Sequence, residues 1–150
     1  DAKPPQRPPI WAICEILTEG QLISFLNCLS QKQLKQKIFK GYEIDLIRMC
    51  SILTVIRNVR NICAHHGRLW NKQLFFAMKF PKHPKILAVS LVAGEKSIYN
   101  VITILIFLLR VIAPQSSWEQ TVKQFVLQQP AFIPNGMGFP ENWETLPLWK

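Results

Sequence analysis

The chain concentrates its chemically able side chains between Ile56 and Asn71. Those sixteen residues hold three arginines, three asparagines, the adjacent His65 and His66, and Trp70. They follow a long apolar-periodic segment that predicts a helix, so the polar groups fall on its last turns. Stepping by four from Arg57 reaches Asn61 and then His65, and residues four apart share a helix face. Arg60 sits about 100° round from Asn61, and its long stem can bring the guanidinium back to the face carrying His65. An imidazole, a carboxamide and one or two guanidiniums, with no carboxylate among them, suit a phosphate.

Metal-free RNA cleavage needs three things: a base for the ribose 2′-OH, cations for the charge growing on phosphorus, and a donor that orients the phosphate. An imidazole has an intrinsic pKa of about 6.5, which makes His65 the candidate base. Arg60 offers planar, bidentate donation to phosphate oxygens, and Asn61 can bond the phosphate or fix the imidazole tautomer. His66 is either a second proton carrier or a cation that steadies the helix C-terminus. Arg57 and Arg68 either hold flanking phosphates or form ion pairs with Asp45, Glu43 or a glutamate of the tail. Trp70 and Asn71 are expected to lock the following loop, and His83 to lie exposed in a Pro-rich loop. A metal site built from Cys63, His65 and His66 is disfavoured, because adjacent histidines diverge on a helix and no second ligand pair has suitable spacing. Neither a metal nor a cofactor is expected. Two rival readings stand: a non-catalytic helical module that binds RNA or protein, and a motif whose Arg and His are buried and satisfied by hydrogen bonds.

Arg60-Asn61-Ile62-Cys63-Ala64-His65 resembles the R-x4-6-H motif, with Asn after the Arg, of the HEPN superfamily of helical ribonucleases. The longer string from Arg60 to Asn71 resembles the signature of the Abi-like abortive-infection family of bacterial phage-defence proteins. Flanking strings extend the likeness: Pro8-Pro-Ile-Trp11 with Gly20-Gln-Leu22, then Met137-Gly-Phe-Pro-Glu-Asn-Trp143 with Leu146-Pro-Leu-Trp149. The resemblance implies a toxic endoribonuclease in which Arg60, Asn61 and His65 are catalytic; Arg57, His66 and Arg68, read from the residues themselves, are the candidate RNA contacts. It also implies products with a 2′,3′-cyclic phosphate and a 5′-hydroxyl. RNA, a second copy of the chain forming a homodimer, and an antitoxin or regulatory protein are the expected partners. On the same likeness, the chain is expected to be a fragment that corresponds to the family's second half.

Composition agrees with a single globular unit. At 49% hydrophobic and 18% charged residues, 150 residues can bury a core and are not a disordered type. Eighteen Lys and Arg against nine Asp and Glu give a net charge of +9, a surplus that favours polyanions. Four widely spaced cysteines, all among apolar residues, read as buried, reduced thiols of a cytoplasmic protein. Val101 to Ala113, the most apolar run, contains Arg110 and is too short to span a bilayer, so no membrane partner is expected.

The predicted fold is all-α, a HEPN-like bundle of five or six helices, with a flexible Pro-rich leader over 1–9 and the domain over 10–150. Short helices are expected from Ile10 to a stop near Gly20, from Gln21 to Leu29, and from Gln31 to Lys40, the last with a solvated lysine face. The long helix runs from Glu43 to about His66, with Gly67 placed to end it. Its apolar stripe (Leu46, Ile47, Cys50, Leu53, Val55, Ile56, Val59, Ile62 and Cys63) is too broad for the remaining helices to cover. Leu69 to Phe80 reads as irregular, with Phe75, Phe76, Met78 and Phe80 packed into the core. A short helix over Lys85 to Val92 and a central helix over Glu95 to Ile112 follow. A capping box of Ser116 and Glu119 opens a last helix to Gln128. Beyond Pro130 the Trp/Pro-rich tail is expected to be non-helical apart from a turn near Glu141–Thr145, strapped across the surface by Phe132, Phe139, Trp143 and Trp149.

Overall fold

The computed structural model describes residues 7–75, 78–93, 96–130 and 132–150; most of the expected leader, Phe76, and the side chains of Lys32, Lys35 and Phe132 lie outside the described part. The described chain is all-α, with eight helices and no strand. In order these are α1 (Ile10–Ile16), α2 (Glu19–Cys28), α3 (Lys32–Phe39), α4 (Leu46–Ala64), α5 (Lys85–Ser90), α6 (Ile98–Ile112), α7 (Trp118–Leu127) and α8 (Phe132–Gly136). That is more than the five or six expected, because short turns count as helices of their own.

The N-terminal helices are positioned by their caps. Thr18 accepts from the Gln21 backbone N–H at 3.3 Å while the Gln21 side chain accepts from the Thr18 N–H at 2.8 Å. This reciprocal capping box starts α2 at Glu19, so Gly20 lies inside the helix and does not stop the one before it. Asp45 caps α4 by accepting from the Arg48 N–H at 3.0 Å. Burial alone would raise the Asp45 carboxyl, but hydrogen bonds and charge from Arg48 outweigh it and hold the group below its usual range. That contribution is present above the unfolded carboxylate pKa and fades as pH falls.

Both α2 and α3 lie against α4, yet α1 and α2 bury no residue fully. The buried seam of α4 is Met49, Ile52 and Val55, at steps of three. Of the broad expected stripe only Val55 belongs to this seam; Leu46, Leu53 and Ile56 pack beside it half-buried, and Ile47 is 65% exposed. Three of the four cysteines are also exposed and Cys50 is half-buried, contrary to the expectation of buried thiols. Cys14 and Cys28 sit on helices with no outer layer to cover them, and Cys63 on the last turn of α4.

Helix α6 forms the centre of the molecule. Nine of its fifteen residues are buried, including Tyr99, Val101, Ile104, Ile106 and Phe107. The tail does not strap the surface; it enters the core. Trp149 and Leu148 are each 1% exposed, and Phe139 and Trp143 are buried with them. Trp149 stacks on Tyr99 at 5.9 Å and meets Trp143 edge-on at 4.9 Å. Polar anchors fix this packing: Trp149 Nε1 donates to Thr103 Oγ1 at 3.1 Å and the Leu148 N–H to Ser90 Oγ at 3.0 Å. Burial also raises the Tyr99 phenol above its ordinary range, against the lowering effect of neighbouring hydrogen bonds.

Glu119 does not form the expected capping box. It takes both Arg110 Nε and Nη2, at 2.8 and 2.6 Å, while Nη2 also reaches the Leu148 carbonyl. A bidentate guanidinium offers Glu119 more than a single backbone N–H can. One further expectation on the tail changes, since Phe132–Gly136 is a helix; the expected turn near Glu141–Thr145 is there as a short 3-10 helix at Trp143–Thr145.

Because the aromatic tail is core, Trp149→Ala is expected to cost about 3–5 kcal/mol in denaturant unfolding. Trp11→Ala, on the uncovered α1, should stay within about 0.5 kcal/mol. Equal effects from the two would refute this placement of the core.

Candidate functional site

The site is built around the end of α4. The His66 N–H donates to the Cys63 carbonyl at 3.0 Å and the Gly67 N–H to the Ile62 carbonyl at 2.7 Å. That pair of bonds is the Schellman arrangement, which satisfies the last free carbonyls of a helix. The left-handed residue it requires is His66, at φ 53°, and not Gly67. Gly67 serves by its smallness: a Cβ there would stand 2.9 Å from the Ile62 carbonyl and 2.8 Å from Cγ2 of the same side chain. The helix thus ends at Ala64, with His65 as its exposed C-cap.

Two cavities flank this helix end, and Asn61 lines both. On one side a groove of about 490 Å³ is lined by Arg57, Arg60 and Asn61 from α4, and by Leu17, Thr18, Glu19 and Gly20 from the start of α2. On the other a cavity of about 410 Å³ is lined by Val55, Asn58, Asn61, Ile62, His65 and Leu74, with Gly67, Lys72 and Phe75 completing its wall. Arg60 Nη1 donates to Asn61 Oδ1 at 3.1 Å, across the exposed face of α4. Arg57 lies along α2, where a Cβ on Gly20 would come within 2.8 Å of its Nη1.

The structure therefore brings Arg57, Arg60 and Asn61 together in one groove, and Asn61 and His65 together in the neighbouring cavity. Arg57 and His65 share no cavity, and Arg60 bonds Asn61 on the arginine side of it. His66 and Arg68 are exposed and line neither cavity. Asp45 pairs with Arg48, so it is not a partner of Arg57 or Arg68. His83 is exposed, as expected. Phe75, expected in the core, is 86% exposed at the cavity mouth. Its loop turns away from the core at a point where Leu74 alone is buried.

The loop that carries Lys72 to Phe75 is held from the far end of the chain. The Asn71 N–H donates to the Gly136 carbonyl at 2.8 Å. The Trp70 indole lies so close over Gly136 that a Cβ there would stand 2.5 Å from Nε1. Trp70 and Asn71 are thus locking residues, as expected. Among the described residues no group of three or more His, Cys, Asp or Glu side chains could hold a metal ion, and no helix is long and apolar enough to cross a membrane.

Sequence reasoning missed Asn58 and Lys72. The signal for Asn58 was available: Asn58, Asn61 and His65 fall at i, i+3 and i+7, one face of a helix. Lys72 arrives through the loop, and no local periodicity announces it.

The left-handed His66 gives a direct test. Its conformation costs a non-glycine residue about 1–2 kcal/mol, and a glycine gives back part of that gain as chain entropy. His66→Gly is expected to raise stability by up to about 1 kcal/mol, and His66→Val to lower it by at least that much. A clear loss in the glycine variant would mean that imidazole contacts hold the turn.

The family model for Abi-like proteins matches residues 1–71. The match takes in α1 to α4, both histidines and the arginine groove, and it suggests a role in phage defence. The strings at Met137–Trp143 and Leu146–Trp149 lie beyond it. No curated protein and no solved structure matches the chain. From its start through the turn that carries His65, His66 and Asn71, just under half of its length, the chain is similar to the Abi-like proteins.

Proposed function

We propose that the chain is a metal-independent endoribonuclease of HEPN type, acting as the toxic effector of phage abortive infection. One observation carries the reading: an exposed imidazole, His65, shares a cavity with Asn61, and Asn61 is bonded to Arg60 at 3.1 Å in the adjoining basic groove. A phosphodiester lying across Asn61 would have guanidinium donors on one side and a proton acceptor on the other. His65 takes the 2′-OH proton as the 2′-oxygen attacks phosphorus. The P–O5′ bond breaks, and a second imidazole, His66 or His65 of a second copy, returns a proton to the leaving 5′-oxygen. Arg60 and Asn61 hold the phosphate oxygens while charge builds on them, and Arg57 and Arg68 hold flanking phosphates. The +9 charge supports a polyanionic substrate. The uncovered apolar surface around Ile47 and on α1 leaves room for the homodimer this chemistry favours.

A non-catalytic RNA-binding role is favoured by one feature: the two-arginine groove can hold a phosphate without His65. Cleavage assays separate the two readings. Cleavage of RNA by the purified protein should persist in EDTA, and His65→Ala and Arg60→Ala should each lower it by roughly 100-fold or more. Mixing the two variants should restore part of the rate if two chains share one cleft. Growth arrest that survives both substitutions would contradict the nuclease, because binding needs no proton acceptor.

A further inference from the structure

The cavity beside His65 has a chemistry that phosphate binding does not explain. Its wall is largely apolar: Val55, Ile62, Leu74 and the exposed ring of Phe75. Its volume of about 410 Å³ is far more than a phosphate needs and ample for a planar ring with its sugar. One of its polar members is Asn58, whose Nδ2 is buried and has no hydrogen-bond partner. A buried amide donor left unpaired costs about 1–3 kcal/mol, and such groups are uncommon in folded chains. The carboxamide torsion is soft, so the amide can swing to an acceptor in the cavity its residue already lines.

We propose that this cavity is a nucleobase pocket, and that Asn58 selects a base carrying an exocyclic carbonyl, with uracil the preferred occupant and adenine disfavoured. The base enters past Phe75, which stacks on its face. Its carbonyl oxygen accepts from Asn58 Nδ2. In the same pose adenine sets an amino donor against Asn58 Nδ2, a donor–donor conflict that the carbonyl oxygen of uracil avoids. The attached phosphate then falls toward Asn61, the residue shared with the arginine groove, and Lys72, which also lines the cavity, adds a cation. Asn58, Asn61 and His65 thus read base, phosphate and ribose hydroxyl along one helix face. The pocket rests on the nuclease reading for its place beside the reaction, but its ligand can be tested without any cleavage.

The probes are uridine 3′-monophosphate and adenosine 3′-monophosphate, titrated calorimetrically into the wild-type protein and into Asn58→Leu. Leucine is close to asparagine in size and removes the unpaired donor, so this variant should unfold at the same temperature or higher. The wild type should bind the uridine nucleotide about ten-fold more tightly, the worth of one good hydrogen bond, and Asn58→Leu should bring the two to parity. Phe75→Ala should weaken both about equally. Equal affinity for both nucleotides in the wild type, no binding of either, or a preference unchanged in Asn58→Leu would each overturn the pocket. Selective uridine binding without RNA cleavage would remove the nuclease reading and leave the pocket standing. Cleavage with no base preference would do the reverse.

Discussion

Two backbone hydrogen bonds, from His66 to Cys63 and from Gly67 to Ile62, decide what the end of α4 can do. They stop the helix one residue before His65, so that imidazole leaves the helix axis just where Asn61 still lies on its face. A helix continued by one more turn would carry His66 and Arg68 along the cylinder and away from the loop of Lys72 to Phe75. The turn is made with a left-handed histidine, although a neighbouring glycine was at hand. Strain of this kind persists only where the surroundings hold it. Here the surroundings are Ile62, packed against Gly67, and the loop that Trp70 and Asn71 tie to Gly136.

That tie connects the site to the core. Gly136 ends α8, and the carbonyl of the next residue, Met137, accepts from the Tyr99 N–H at the start of α6. Tyr99 is itself stacked on Trp149. The wall of the cavity beside His65 is thereby supported by the aromatic cluster of the C-terminal segment, even though the residues on α4 come from the first half. The division of labour is clear in the burial pattern. α6 and the tail supply the rigid mass, while α1 to α4 supply the exposed arginines, asparagines and histidine. A site set on a firm core but open to solvent suits a large, flexible polyanion.

Much of this was legible in the sequence, and the parts that were not share a cause. Helix positions followed from apolar spacing, and the Arg57, Asn61, His65 step of four was visible at once. What spacing could not supply was where the helix ends. Gly67 looked like the terminator because glycine tolerates a left-handed backbone best, yet the strain fell on His66 and the glycine was needed for its missing side chain. The tail misled in a similar way. Its aromatic residues read as a surface strap, whereas Phe139, Trp143 and Trp149 are buried, and Phe139 and Trp149 pack on Tyr99 forty or more residues away in sequence. Glu119 read locally as a cap, and a distant guanidinium claimed it. Arg60 read as a partner for His65, but its bond goes to Asn61. In each case a contact that helix or turn spacing does not encode overrode a sound local preference.

The central claim is that the groups around Asn61 cleave RNA through the ribose 2′-OH, and the ends of the products report on that chemistry. Mass spectrometry of a short RNA treated with the protein in EDTA should find 2′,3′-cyclic phosphate on the upstream fragments and 5′-hydroxyl on the downstream ones. An RNA with a single 2′-deoxy substitution at the cleavage position should remain intact there. Fragments ending in 3′-hydroxyl and 5′-phosphate, or cutting at the deoxy position, would show that water and not the 2′-oxygen attacks, and would contradict the account.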